Sequence, residues 1–158
     1  PVRCLLVYGG SDPREVDPLR FALDPAHGRL GRERTDLQLK IVAATDWPRE
    51  TLGEYQVVWF HDVAGFSAVE AAALREYRDQ NGAAVWFLGE RAQADLYRPL
   101  ATGPSALLPV EVHEPAPRGT YFLDPLNYTN PIVRVFGEQE RSDLTRIPFT
   151  RYYRTRPI

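Results

Sequence analysis

Three polar stretches in this chain each follow an apolar run, and each holds residue types that can catalyse or bind. After "VRCLLVY" comes Gly9-Gly10-Ser11-Asp12. Two glycines and a serine can cradle an anion through backbone amides. The spacing is neither the dinucleotide fingerprint nor a P-loop, and no lysine follows, so a tight turn is the simpler expectation. After "YQVVWF" comes His61-Asp62. A histidine beside a carboxylate can act as a general base, but adjacent strand residues point to opposite faces and do not pair with each other. After "AAVWFL" comes Gly89-Glu90-Arg91. A glycine turn between strand and helix holds the nucleophile in many α/β enzymes, yet neither Cys nor Ser stands here. Glu90 is an acid or base candidate, or it sits in the first turn of the next helix and complements the dipole. Arg91 has the fork that clamps a carboxylate. The catalytic candidates are therefore Glu90, His61 and Asp62. The ligand-binding candidates are Gly9, Gly10, Ser11, Asp12, Gly89 and Arg91.

Other residues give weaker patterns. Cys4 lies inside an apolar run and is expected to behave as a small buried hydrophobe. His27, His61 and His113 lack metal-ligand spacing. Asp12, Asp17 and Asp62 would have to converge at one sheet edge to attract a divalent ion, and no spacing rule brings them there. No metal and no cofactor is read from these residues. Near the C-terminus, Arg141, Arg146, Arg151, Arg154 and Arg156 interleave with Tyr152 and Tyr153, a texture that can bind single-stranded nucleic acid. Arginine outnumbers lysine eighteen to one across the chain, however, so this is background composition. An exposed strand or an interdomain contact is the expectation there.

These candidates need a frame to hold them. Val2–Gly10 reads as a buried strand ended by two glycines, followed by a polar loop "SDPREVDP". "PLRFALDPA" reads as a short helix offering Leu19, Phe21 and Leu23 for burial, and "HGRLGRERTD" as a surface loop. "LQLKIVAAT" alternates like a strand near a sheet edge, and "DWPRETLGEY" suits a helical turn with Pro48 in first position. Tyr55–Val63 and "AAVWFLG" are apolar on both faces, as central strands are. Between them Ser67 and Glu70 have capping-box spacing. Ala71, Leu74 and Tyr77 form the helix stripe, and Asn81-Gly82 ends it. "ERAQADLYRPL" reads as a helix closed by Pro99. A Pro-rich stretch follows, with a short strand at Val110 and Val112, turn signals at Asp124-Pro125 and Asn130-Pro131, and a late strand over Phe149–Tyr153. Strands alternating with helices predict an open, mostly parallel doubly wound α/β sheet. Its ligand loops lie beyond the carboxyl ends of the strands.

At 158 residues the chain is expected to form a single domain over 1–158 with a core of its own. A net charge of −2 gives no reason to expect nucleic acid or an anionic membrane as partner. One cysteine excludes an internal disulfide, and no apolar run reaches the roughly 18 residues of a membrane span. A chain beginning at Pro1 with no methionine is expected to be a piece of a longer protein.

The run "YQVVWFHDVAGFSAVEAAALREYRDQNGAAVWFLGE", with "YRPL", "LLPVEV", "NPIVRVF" and "FTRYYRT" downstream, resembles the class I glutamine amidotransferase-like domain of bacterial BatA-type (aerotolerance-regulator) membrane proteins. The resemblance covers nearly the whole chain and is densest over Tyr55–Glu90. It implies a flavodoxin-like fold with helices on both faces of the sheet. It also implies a membrane-anchored parent, often with a von Willebrand A-type region, and an extracytoplasmic position for this domain. Partners would be other domains of the same chain or proteins of a membrane complex. The family's nucleophilic Cys would fall at Gly89-Glu90, and its His-x-Glu partner has no match, His113-Glu114-Pro115 lying in the Pro-rich stretch. The expectation is a degenerate, non-catalytic interaction or ligand-sensing domain. The alternatives are a hydrolase using Glu90, His61 and Asp62, or a small-molecule-binding domain without turnover.

Overall fold

The computed structural model describes residues 1–24, 36–124 and 145–158, with Thr129, Pro131 and Arg134 between. It divides into two compact units, Pro1–Val112 with Thr155–Ile158, and His113–Arg154. His27, Arg141, Pro125, Asn130 and the loop from His27 to Thr35 lie outside the described residues.

The first unit is an open parallel α/β sheet of the flavodoxin-like kind, in which β1 (Val2–Tyr8), β2 (Leu37–Ala43), β3 (Val57–His61) and β4 (Ala83–Phe87) lie in the order β2-β1-β3-β4. β1 pairs with β2 and β3, and β3 with β4, all parallel. In β1 the run Cys4–Val7 is buried outright, as a both-face-apolar strand demands. Cys4 is 2% exposed, and burial pushes its thiol pKa up.

The two faces of the sheet are covered differently. On one, Phe60 meets Trp47 edge-on at 5.3 Å and Phe66 at 5.0 Å, and Phe66 meets Tyr97 at 5.4 Å. Such edge-to-face contacts are the favoured aromatic geometry. On the other, Tyr8 and Ile41 face the segment Pro13–Arg20 across a shallow depression. β3 and β4 depart from the central-strand expectation. Val57, Trp59 and His61 are half-buried, and β4 has β3 as its one partner among the described residues. Phe87 at its end is 41% exposed, stacked on Trp59. An apolar strand demands cover for its side chains but does not state how many neighbours it has.

"SDPREVDP" is not a plain loop. Asp12 caps a 3-10 turn over Pro13–Val16, its side chain accepting from the Arg14 amide, and α1 (Asp17–Leu23) continues from it. Leu19, Phe21 and Leu23 are not buried as expected. The turn buries Val16 instead, and Phe21 lies out under the Arg20 guanidinium. A second 3-10 turn, Trp47–Arg49, begins with Pro48 near its start. α2 (Ala68–Asp79) has the complete capping box: Ser67 Oγ accepts from the Glu70 amide and the Glu70 carboxylate accepts from the Ser67 amide. Its stripe Ala71, Leu74 and Tyr77 is buried, and Asn81 ends it at φ 68°. α3 spans Ala94–Ala101, shorter than the expected helix and with Pro99 inside it rather than closing it. Arg75 and Arg78 of α2 donate to the carbonyls of Pro99, Ser105 and Ala106, which ties α3 and the loop after it to α2.

β5 (Val110–Pro115) and β6 (Tyr153–Pro157) form a separate two-stranded sheet. The late strand thus starts at Tyr153, four residues after the expected Phe149. In the second unit Phe149 makes a lone antiparallel bridge to Tyr121, whose ring stands edge-on to Tyr152 at 4.8 Å. The Tyr121 hydroxyl donates to the Pro117 carbonyl at 2.7 Å.

Candidate functional site

β1 has β2 on one side and β3 on the other, while the chain leaves β1 for β2 and β3 for β4. The crevice between the carboxyl ends of β1 and β3 is therefore the topological switch point, where ligands bind in doubly wound sheets. Four segments meet there: Gly9-Gly10 after β1, the Pro13–Val16 turn, Asp62 after β3, and Gly89–Arg91 after β4.

The ladders run to the edge of this crevice. The Gly9 amide donates to the His61 carbonyl and the Asp62 amide to the Phe87 carbonyl, both at 2.9 Å. Asp62 then turns at φ 50°, a left-handed backbone that Asp tolerates better than most side chains. It is the one buried charged residue among those described, 7% exposed. Both carboxylate oxygens are taken by one residue: Oδ1 accepts from the Arg91 amide at 2.7 Å and Oδ2 from Arg91 Nη1 at 2.9 Å. Gly89 makes room for this, since a Cβ there would lie 2.5 Å from Asp62 Cγ.

Arg91 reaches onward. Its Nη1 donates to Glu15 Oε2 at 2.9 Å and its Nη2 to Glu15 Oε1 at 3.2 Å. The Glu15 carboxylate lies against Gly10 where a Cβ would collide with it. The hydrogen bonds that Arg91 donates, first to Asp62 and then to Glu15, raise its already high pKa, so the guanidinium is a permanent cation. The result is a chain of carboxylate, guanidinium and carboxylate across the switch point, with formal charges of −1, +1 and −1.

Of the expected residues, the structure brings together Asp62, Arg91, Gly89 and Gly10. It does not pair His61 with Asp62. His61 ends β3 level with Tyr8 and Phe87, and its Nδ1 is buried with no hydrogen-bond partner among the described residues. Asp62's hydrogen bonds are not local ones either, because they go to a residue 29 positions away. Glu90 does not occupy the first turn of a helix. α3 begins at Ala94, because the Arg91 amide is drawn to Asp62 and the Gln93 amide to the Ala64 carbonyl. The three aspartates of the suggested ion cluster each hold a different arginine: Asp12 holds Arg14, Asp17 holds Arg20, and Asp62 holds Arg91. The Arg14 guanidinium keeps the Asp12 pKa below the usual carboxylate range. Among the described residues no group of His, Cys, Asp and Glu has the geometry of a metal site, and no helix is long and apolar enough to cross a membrane.

Glu15 was not among the expected site residues. Its signal is Asp12-Pro13-Arg14-Glu15, a capping aspartate, a proline in first position and an acid three residues after the cap, which is a helix-start pattern. Read so, it places a carboxylate one turn beyond the end of β1. Beside the turn, Tyr8, Ile41, Pro13, Arg14, Asp17 and Arg20 line a depression of about 540 Å³.

Chemically the site is a charge clamp. The amide following an elbow's tip is a natural oxyanion donor, but the Arg91 amide already holds the Asp62 carboxylate. Compared with family models, with curated proteins and with solved structures, the chain matches none.

Proposed function

We propose that this chain is a non-catalytic, amidotransferase-like module that senses a ligand or contacts a partner at the carboxyl edge of its sheet. The observation that carries the reading is the engagement of Arg91. Its backbone amide and its guanidinium are both committed to Asp62, so the amide placed to serve as an oxyanion donor is already engaged, and the turn at Gly89-Glu90 carries neither Cys nor Ser as nucleophile. Asp62 turns its carboxylate to Arg91 rather than to His61, whose buried Nδ1 has no hydrogen-bond partner among the described residues, so nothing there orients the imidazole as a base. The resemblance to BatA-type proteins supports a membrane-associated parent, with other domains of that parent or its complex as partners.

The direct test is ammonia release from glutamine, together with hydrolysis of an activated ester, by the purified chain. Wild type and Glu90→Gln are expected to match the buffer blank. Turnover by wild type that Glu90→Gln abolishes would sink the reading in favour of a hydrolase. A small-molecule-binding domain without turnover is a second reading, favoured by the depression beside Tyr8 and Arg20. Saturable thermal stabilisation by one ligand class, lost on Tyr8→Ala, would favour it.

A further inference from the structure

We propose that Glu15 is the built-in occupant of a carboxylate seat formed by the Arg91 guanidinium over Gly10, and that an external carboxylate takes this seat when Glu15 leaves. The inference rests on reading the strand edge as a ligand site rather than a catalytic one, and it names the ligand class and the regulation.

The two halves of the clamp are unequal. Asp62 holds Arg91 from beneath, through the backbone amide and Nη1, with its own side chain 10% exposed. That half positions the guanidinium. Glu15 meets the same guanidinium from the solvent side, in a two-pronged contact at 2.9 and 3.2 Å. Its side chain is 30% exposed and that of Arg91 is 43% exposed. Water and dissolved ions therefore compete for the outer contact and hardly for the inner one.

A guanidinium presenting two parallel donors matches a planar carboxylate. Here that geometry is already filled by a carboxylate from the chain itself. The floor is equally specific: Glu15's carboxylate lies where Gly10 would carry a Cβ, so the seat is shaped around a flat anion resting on bare backbone. Its place is the switch point between β1 and β3, where ligands of such sheets bind. Glu15 stands on a four-residue 3-10 turn anchored by the buried Val16, so a swing of its 30% exposed side chain alone empties the seat and leaves the Asp62–Arg91 half intact. A ligand that competes with a resident group binds more weakly by the fraction of time the seat is empty. Self-occupancy is thus a threshold: the module responds to a carboxylate partner at high local concentration and ignores stray anions.

The test is an NMR titration with acetate at constant ionic strength, chloride being exchanged for acetate. The backbone amides of Gly9, Gly10 and Arg91 and the Arg91 Nε are followed. Glu15→Ala is expected to show saturable shifts at an acetate midpoint about tenfold below wild type, and Glu15→Ala/Arg91→Gln none. Glu15→Gln keeps the shape without the charge and is expected between wild type and Glu15→Ala. It serves as the deciding variant if the alanine variant does not fold. Equal midpoints in wild type and the Glu15 variants would overturn the proposal, as would shifts that survive Arg91→Gln. Glutamine turnover measured on the same samples separates the two ideas. Turnover in wild type ends the non-catalytic reading, whereas the acetate midpoints alone decide the seat.

Discussion

Two clusters in the first unit each grip carboxylates with a cation, and the contrast between them shows what the strand edge is built to do. Glu50 accepts from Lys40 Nζ at 2.8 Å and from the Tyr55 hydroxyl at 2.7 Å. All three groups lie within β2 and the connection that follows it. That cluster staples a strand to its own outgoing chain and joins nothing distant. Asp62 and Glu15 are gripped by Arg91 from 29 and 76 residues away. This second cluster ties the loops after β1, β3 and β4 into one surface. The chemistry is alike, a carboxylate with a cation and a hydroxyl or amide donor, but the span differs. A short-span cluster secures local chain direction; a long-span cluster assembles a site.

By that contrast, the inner half of the strand-edge clamp is the costliest to break. Asp62→Ala strips the Arg91 amide and guanidinium of their acceptor and leaves alanine in a left-handed backbone. The expected loss is about 3 kcal/mol in denaturant unfolding. Asp62→Asn, which keeps the backbone tolerance and one acceptor, should lose about half as much. Equal losses in both variants would mean that charge, not geometry, holds the loops together.

Gly89→Ala attacks the same half from the other side. A Cβ at 2.5 Å from Asp62 Cγ forces the loop apart, at an expected cost of about 2 kcal/mol. The Arg91 amide should then lose its protection from hydrogen exchange. Retained protection would show that the loops adjust without parting.

The Glu50 cluster should respond to pH as well as to mutation. Hydrogen bonds from Lys40 and then Tyr55 hold the Glu50 pKa below the ordinary glutamate range. A group with a lowered folded-state pKa adds stability that is present above its unfolded value and is lost as pH falls through the folded one. Glu50→Gln should therefore cost at most about 1 kcal/mol at pH 7. The gap to wild type should narrow as the pH drops below about 4. A gap that persists in acid would assign the loss to packing rather than charge.

The smallest effect is expected at Glu15. Its contact with Arg91 is open to solvent, and Glu15→Gln should change stability by under about 1 kcal/mol, with that difference shrinking further in high salt. A loss as large as that of Asp62→Ala would make Glu15 part of the structural clamp and remove the distinction between its two halves.

Much of the frame was legible residue by residue. The strands announced themselves as apolar runs ended by Gly or polar pairs, and Ser67-x-x-Glu70 with its stripe Ala71, Leu74 and Tyr77 located α2, because these signals act over a few residues. Misreadings came where a local pattern was overruled by a distant partner. Glu90 and Arg91 look like the start of a helix, but Asp62 holds the Arg91 amide and the helix starts at Ala94. Phe21 looks like a core residue, but the turn before it buries Val16 and leaves the ring outside.

What the sequence by itself determined is where the four strands of the parallel sheet and α2 lie, and that an α/β fold results, since apolar period and capping are properties of neighbouring residues. The tertiary structure alone decided that β4 has one strand beside it among the described residues, that Asp62 turns to Arg91, and that Arg91 bridges Asp62 to Glu15. Those facts depend on strand order and on loops meeting across 29 to 76 residues of chain. No local pattern in the chain encodes which of its eighteen arginines a given carboxylate will meet.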